Sequence, residues 1–199
     1  MLALGAAAMG AAHASPVSDA AALIKHKKFA EARALLEPIA SAGHPDPEAC
    51  YYLGVALEEV PEKSGLDSAR TWLSMAVRLA PENETFLAEY AGVCLLLADR
   101  DSSFTLALEG RNAMTRAIER NPADLEAREG LMTFYAQAPW PLGDADKALV
   151  QAAEIARRDP VRGGAAYRKI AGIFRRDGRS EKAESALKAA QNLAPDAPR

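Results

Sequence analysis

The chain has 199 residues, of which 49% are hydrophobic, only 6% are aromatic and 26% are charged, and its formal net charge is −3. A mildly acidic chain without a stripe of Lys and Arg lacks the means to displace phosphate counterions, which argues against nucleic acid as a partner. The alanine-rich composition, without an alternating run of β-branched residues, predicts closely packed helices.

The N-terminal residues have the features of a secretory signal. Residues 2–12 are uncharged and almost entirely Ala, Leu, Gly and Met, and Ala12, His13 and Ala14 form an A-x-A site before Ser15 and Pro16. We therefore expect a signal peptide at 1–14, a mature domain at 15–199 and export to the periplasm of a Gram-negative bacterium. No basic residue precedes the apolar run, so an upstream start and an alanine-rich tail without a targeting role stay open. The run is far shorter than the about 20 apolar residues of a membrane span.

The rest of the chain is organised by a triplet that recurs every 35 to 41 residues: a small residue, an apolar or small residue seven later, and usually a proline five after that. Seven residues are two helical turns, so the first two members share one face, and the proline ends the helix. Periods of this size indicate stacked helical hairpins, with the triplet on the second helix of each. The triplets are Ala32, Ile39, His44; Ala69, Ala76, Pro81; Gly110, Ala117, Pro122; Ala148, Ile155, Pro160; and Ala183, Ala190, Pro195.

The first helices repeat small and apolar residues at the i, i+3, i+4, i+7 spacing of one helical face. Gly54, Gly92 and Ala171 are expected to be small because neighbouring helices approach closely there. These faces are Cys50, Leu53, Gly54, Leu57; Ala88, Ala91, Gly92, Leu95; Ala127, Gly130, Leu131, Phe134; and Tyr167, Ile170, Ala171, Phe174.

Taken together, the two patterns resemble the tetratricopeptide-repeat (TPR) family over roughly residues 17–197. The resemblance implies an all-α fold, a right-handed superhelical solenoid of about five helix-turn-helix repeats. Part of the segment 135–148 is also loosely similar to exported bacterial TPR proteins.

No residue set predicts catalysis. His26 and His44 have no partners at metal-site spacing, and nucleotide-binding and nucleophile motifs are missing. Cys50 and Cys94 lie on the first helices of repeats two and three, which predicts buried thiols, with a disulfide between them left open. We expect no enzyme activity, no cofactor and no metal site.

Three segments are longer than the repeat requires: 60–65, 99–104 and 138–143. All fall within hairpins, which predicts insert loops along one edge of the array. Trp140, between two prolines, is either a rigid anchor for a partner or folds back over the apolar end of its own hairpin.

The resemblance also implies a concave groove lined by the first helices, changing from acidic and apolar to basic along the chain. The predicted function is a non-catalytic scaffold that binds a protein or peptide in this groove or at the insert edge, although these positions could equally be solvated helix faces. Arg168, Arg175 and Arg176 are expected to meet an acidic segment or a C-terminal carboxylate. The predicted partner-binding residues are Tyr51, Glu58, Phe86, Glu89, Arg128, Tyr135, Trp140, Arg168, Arg175 and Arg176.

A structural role is the alternative. No polar capping helix follows Pro195, which would leave one face of the last helix uncovered and open to formation of a homodimer. The residues of that face are Ala186, Leu187, Ala190 and Leu193.

Overall fold

The computed structural model describes residues 15–60, 63–139 and 141–193, and over these ranges it contains ten α-helices and no strand. The predicted signal segment 1–14 lies outside the described residues. The helices are α1 (Pro16–Lys25), α2 (Phe29–Ala40), α3 (Pro47–Glu58), α4 (Lys63–Leu79), α5 (Glu84–Asp101), α6 (Phe104–Arg120), α7 (Leu125–Gln137), α8 (Ala145–Arg158), α9 (Pro160–Arg176) and α10 (Ser180–Leu193).

The chain divides into two compact units, residues 1–72 and 73–199, with the boundary inside α4. In the first unit, α1, α2 and α3 pack against one another. In the second, consecutive helices from α5 to α10 are in contact, and α7 also touches α9. The core of α7 to α10 is built around the buried side chains of Met132, Ile155, Ile170 and Phe174.

The repeat register is confirmed by the burial of its small residues. The anchors fall on α2, α4, α6, α8 and α10, the second helices of five hairpins, and every one of them is buried. They are Ala32, Ala69, Gly110, Ala148 and Ala183. The all-α fold of helix-turn-helix repeats expected from the sequence is therefore the fold of the chain.

Side chains that cap helix N-termini keep the connections short. Asp46, Asn83, Ser103 and Asp124 each accept a hydrogen bond from a backbone N–H in the first turn of the next helix. Such caps satisfy donors that have no partner inside the helix. Asp159 is at once the last cap of α8 and the first cap of α9, so a single residue joins these helices.

The predicted insert loops at 60–65 and 99–104 are largely helical over their described residues, which corrects the sequence interpretation. Helix α4 already begins at Lys63, and α5 continues to Asp101, so only Ser102 and Ser103 separate α5 from α6. Ser102 ends α5 in the left-handed conformation (φ 51°), and Ser103 caps α6. Most of the described extra residues therefore belong to helices.

The described part of the third segment, residues 138–139 and 141–143, folds against its hairpin. The N–H groups of Leu142 and Gly143 donate to the carbonyl of Pro139 at 2.9 and 3.0 Å, and Asp144 donates to the carbonyl of Tyr135 at 2.8 Å. The Leu142 side chain is only 7% exposed. Trp140 lies outside the described residues, so its two alternatives stay predictions.

Close helix contact at Gly92 was wrongly predicted. A Cβ atom built on Gly92 meets nothing within 4 Å, whereas one on Gly110 of α6 would lie 2.8 Å from Leu95 Cδ2 and 3.0 Å from the Ala91 carbonyl oxygen. The small residue that α5 presents to α6 is therefore Ala91, one position earlier. One residue is a rotation of about 100° on a helix, enough to turn a side chain away from its neighbour.

The face of α10 proposed for self-association is mostly covered within the chain. Ala186 and Ala190 are 0% and 3% exposed, and Ala186 belongs to the core of α7 to α10. Leu187 and Leu193 are half-buried. Helix α10 therefore turns its small residues toward its own hairpin and offers less apolar surface than the sequence suggested.

Candidate functional site

Helix α9 carries the most concentrated charge among the predicted site residues. It starts at Pro160, where Asp159 accepts a hydrogen bond from the Arg162 N–H at 2.9 Å. Its exposed positions follow the helical period, and four of them are cations: Arg168, Lys169, Arg175 and Arg176. We call these four residues the α9 basic face.

The opposite face of α9 is fixed in the core. Ile170 and Phe174 are fully buried, and the guanidinium of Arg179 stacks over the Phe174 ring, 4.6 Å from its centroid. Arg179 also donates to the backbone carbonyl of Ala136 at the end of α7. Because these contacts fix the rotation of α9 about its axis, the basic face is presented on a rigid element.

No carboxylate among the described residues neutralises the charges of the α9 basic face. Most other cations near it have a carboxylate: Arg162 contacts Glu129 at 2.5 Å, and Lys182 pairs with Asp146. None of the four cations of the basic face makes an ion pair or a side-chain hydrogen bond to any residue that the structure describes. Four positive charges on three helical turns therefore stay available to an external anion.

Gly172 lies in the middle of this face. It is exposed, and a Cβ atom built on it meets nothing within 4 Å. Glycine in the interior of a helix costs about 1 kcal/mol relative to alanine, and no neighbouring helix here requires it. Because Gly172 has no side chain, the helix backbone between Arg168 and Arg175 is open to the approach of a ligand.

The predicted partner-binding residues differ in their exposure. Arg168, Arg175 and Arg176 come together on the exposed face of α9. The remaining described ones are half-buried or buried: Tyr51, Glu58, Glu89 and Tyr135 are half-buried, while Phe86 and Arg128 are 5% and 7% exposed. Trp140 is outside the described residues. A role in partner binding stays a prediction for all of them.

Phe86 and Arg128 are not exposed as a groove lining should be, and Arg128 shows why. Its guanidinium donates to the Pro122 carbonyl and to Gln151 Oε1, each at 3.1 Å, which joins the start of α7 to α8. Burial, together with nearby Arg158, lowers the pKa of the Arg128 guanidinium. The side chain is thus used to hold two helices together and offers a partner little surface.

Tyr51 and Tyr135 each pack against a neighbouring aromatic ring. The Tyr51 ring meets that of Tyr52 edge to face at 5.0 Å, and the Tyr135 ring meets that of Phe134 at 5.7 Å. The Lys147 ammonium lies 5.5 Å from the centroid of the Tyr135 ring. Both tyrosine rings therefore already contact an aromatic neighbour before any partner arrives.

Lys169 and Gly172 were missed by the sequence interpretation. The sequence interpretation chose Arg168 and Arg175 because they are seven residues apart on one helix. Lys169 follows Arg168 directly and does not have this spacing to Arg175. Its exposure depends on where α8 and α10 pack against α9, which no spacing within α9 specifies.

The described residues show few features of other kinds of site. They contain no group of three His, Cys, Asp or Glu side chains placed to hold a metal ion. Cys50 and Cys94 are buried thiols, as predicted, and burial raises the pKa of Cys50. No helix in the described ranges has the length and apolar character needed to cross a membrane.

Comparison with solved structures identifies the fold. MamA superposes with a TM-score of 0.71 at 17% identity, covering 90% of each chain. YrrB, described as a TPR protein with an unusual peptide-binding site, gives 0.69 at 23% identity, covering 91% of this chain and 86% of its own. The chain has the tetratricopeptide-repeat fold. TTC0263, a thermophilic TPR protein of Thermus thermophilus, gives 0.61 at 18% identity and covers 91% of each chain. No protein-family model and no curated protein sequence matches this chain.

Proposed function

We propose that the protein is a non-catalytic scaffold that binds an acidic segment of a protein or peptide partner on the α9 basic face. The observation that carries the proposal is that Arg168, Lys169, Arg175 and Arg176 are exposed and have no carboxylate partner among the described residues. A guanidinium pairs with a carboxylate through two parallel N–H···O bonds, so an acidic segment is the complementary ligand. The peptide-binding site named for YrrB supports such a use of this fold.

A purely structural role can explain only two of the four cations of the α9 basic face. Arg175 and Arg176 lie in the last turn of α9, where cations interact favourably with the helix dipole. Arg168 and Lys169 lie about two turns earlier, beyond the reach of that effect. Their charges gain nothing from the helix end, which favours an external partner.

The proposal can be tested with a fluorescent peptide rich in Glu and Asp, titrated into the whole chain. The test variant is Arg168→Ala, Arg175→Ala and Arg176→Ala together. Each exposed ion pair contributes only about 0–1 kcal/mol, so only the combined change should weaken binding clearly, by about tenfold or more. The variant should also flatten the dependence of affinity on salt.

A matched control removes three cations that already pair with a carboxylate three or four residues away in the sequence. Lys28, Arg33 and Arg157 pair with Glu31, Glu37 and Glu154. The variant Lys28→Ala, Arg33→Ala, Arg157→Ala has the same net charge as the test variant and should bind the peptide as the wild type does. Equal weakening in both variants would show that only net charge matters, and unchanged affinity in the test variant would move the site to Trp140.

We further propose that this scaffold works in the periplasm of a Gram-negative bacterium. The A-x-A site before Ser15 supports export, and Ser15 is the N-cap of α1, accepting a hydrogen bond from the Ser18 N–H at 3.2 Å. Cleavage after Ala14 would leave this cap intact. Mass spectrometry of the periplasmic fraction should find Ser15 as the N-terminus, and a cytoplasmic protein that retains Met1 would contradict the proposal.

A further inference from the structure

A second cationic surface lies on different helices of the second unit. It is an open groove of about 500 Å³, lined by four residues of α6 and by one residue each of α7 and α8. We call it the α6–α8 groove, and its lining consists of Arg111, Asn112, Thr115, Arg116, Tyr135 and Lys147. The groove is largely open to solvent, so it would hold a ligand through its charged and polar side chains rather than enclose it.

The two arginines of the groove are held in place by neutral acceptors. Arg111 donates from Nε and Nη2 to Asn112 Oδ1, at 3.3 and 2.9 Å. Arg116 donates from Nη2 to the carbonyl of Pro81 at 2.9 Å. A guanidinium has five N–H donors, so these bonds orient both side chains and leave most of their donors unused. No ion pair with a carboxylate of the described part of the chain cancels their positive charges.

Lys147 adds a third cation at the start of α8. Its ammonium lies 3.4 Å from Asp144 Oδ2 and 5.5 Å from the centre of the Tyr135 ring. Asp144 is the N-cap of α8, and its hydrogen bond from the Lys147 N–H lowers the pKa of its carboxyl. With Asp144 included, the groove keeps a net charge of about +2.

The lining is also short of acceptors. It contains no carboxylate, and the carbonyl oxygen of Asn112 is already occupied by Arg111. The Thr115 hydroxyl donates to the Arg111 carbonyl at 2.9 Å. The donors that remain belong to Arg111, Arg116, Lys147, the Asn112 amide and the Tyr135 hydroxyl. A ligand must therefore be anionic and supply several acceptor oxygens.

We propose that the α6–α8 groove binds a phosphate dianion, either free or as the phosphate group of a small ester. A phosphate monoester has a charge of about −1.5 to −2 at pH 7 and three strong acceptor oxygens, which match the net charge and the donors of the groove. The fork of an arginine fits two of these oxygens at once. A single carboxylate would leave about one positive charge uncompensated.

The test is an NMR titration of the whole chain, following backbone amide shifts, with inorganic phosphate, phenyl phosphate and acetate as probes. Both phosphates should bind saturably with a Kd near or below about 1 mM, shift amides around Arg111, Arg116 and Lys147, and bind more tightly than acetate. Tighter binding of phenyl phosphate than of phosphate would support an ester whose organic part contacts Tyr135. Equal affinities would support free phosphate.

Variants separate the geometry of the site from its charge. Arg111→Ala with Arg116→Ala should weaken phosphate binding at least tenfold, and Arg111→Lys with Arg116→Lys should give an intermediate loss, because the charge remains but the fork does not. The control Arg33→Ala with Arg157→Ala removes two paired cations and should bind as the wild type does.

The proposal would be overturned if acetate bound as tightly as phosphate, or if the double alanine variant of the groove kept the wild-type affinity for phosphate. It would also be overturned if the Arg168→Ala, Arg175→Ala, Arg176→Ala variant lost phosphate binding. That last result would place the anion on the α9 basic face. Because the two sites use different residues, loss of peptide binding and loss of phosphate binding are independent results.

Discussion

Gly163 of α9 lies directly against Ala156 of α8, and a Cβ atom on the glycine would stand 2.2 Å from the Ala156 Cα atom and 2.8 Å from its backbone nitrogen. The two helices are joined by the single residue Asp159, so neither backbone can withdraw easily. The contact sets how closely α9 approaches α8, and thereby fixes the helix that carries the α9 basic face.

Gly163→Ala is therefore expected to destabilise the protein. The methyl group would overlap backbone atoms, which cannot rotate away as a side chain does, and overpacking of this kind typically costs about 1–3 kcal/mol. Urea denaturation followed by far-UV circular dichroism should show the loss. A variant as stable as the wild type would mean that α8 and α9 are less tightly packed.

Gly172→Ala, the same substitution nine residues later on the same helix, should have the opposite effect. The added methyl group meets nothing within 4 Å, and alanine is favoured over glycine in a helix interior by about 1 kcal/mol. The same denaturation experiment should show a more stable protein. If a partner approaches the helix backbone at Gly172, the acidic peptide should bind this stabilised variant more weakly.

Arg168 and Arg128 show what the sequence could and could not predict. The seven-residue spacing predicted the helical faces, the repeat register and the cluster of Arg168, Arg175 and Arg176, because these depend on positions within one helix. It could not predict that Arg128 is buried, since that depends on Gln151 of α8 and on the Pro122 carbonyl. The α6–α8 groove was missed for the same reason, as three helices contribute to it.

Arg128→Ala should lower the free energy of unfolding by about 1–3 kcal/mol. It removes two hydrogen bonds from a charged guanidinium, to the Pro122 carbonyl and to Gln151, together with the packing of a side chain that is only 7% exposed. Arg168→Ala is the matched control, because it removes the same side chain from an exposed position and should change stability by less than about 0.5 kcal/mol. Equal stability of the two variants would contradict a structural role for Arg128.

Glu154 of α8 should make part of the free energy of unfolding depend on pH. Hydrogen bonds from Arg158 and Arg157 lower the pKa of its carboxyl from 4.5 to about 2. The folded state therefore binds fewer protons than the unfolded state between these values, so this contribution is complete above pH 4.5 and is lost as the pH falls toward 2. Because the side chain is 36% exposed, solvent screening keeps the contribution below about 1 kcal/mol.

Glu154→Gln should remove this part of the pH dependence of stability. The measurement is the difference between the urea denaturation midpoints at neutral pH and at an acidic pH close to the lowered pKa of Glu154. Glu181→Gln on α10 is the control, because Glu181 is exposed and has no ion pair to any described residue. This variant should keep the wild-type dependence. If Glu154→Gln loses as much stability on acidification as Glu181→Gln does, the hydrogen bonds from Arg157 and Arg158 do not hold Glu154 ionised.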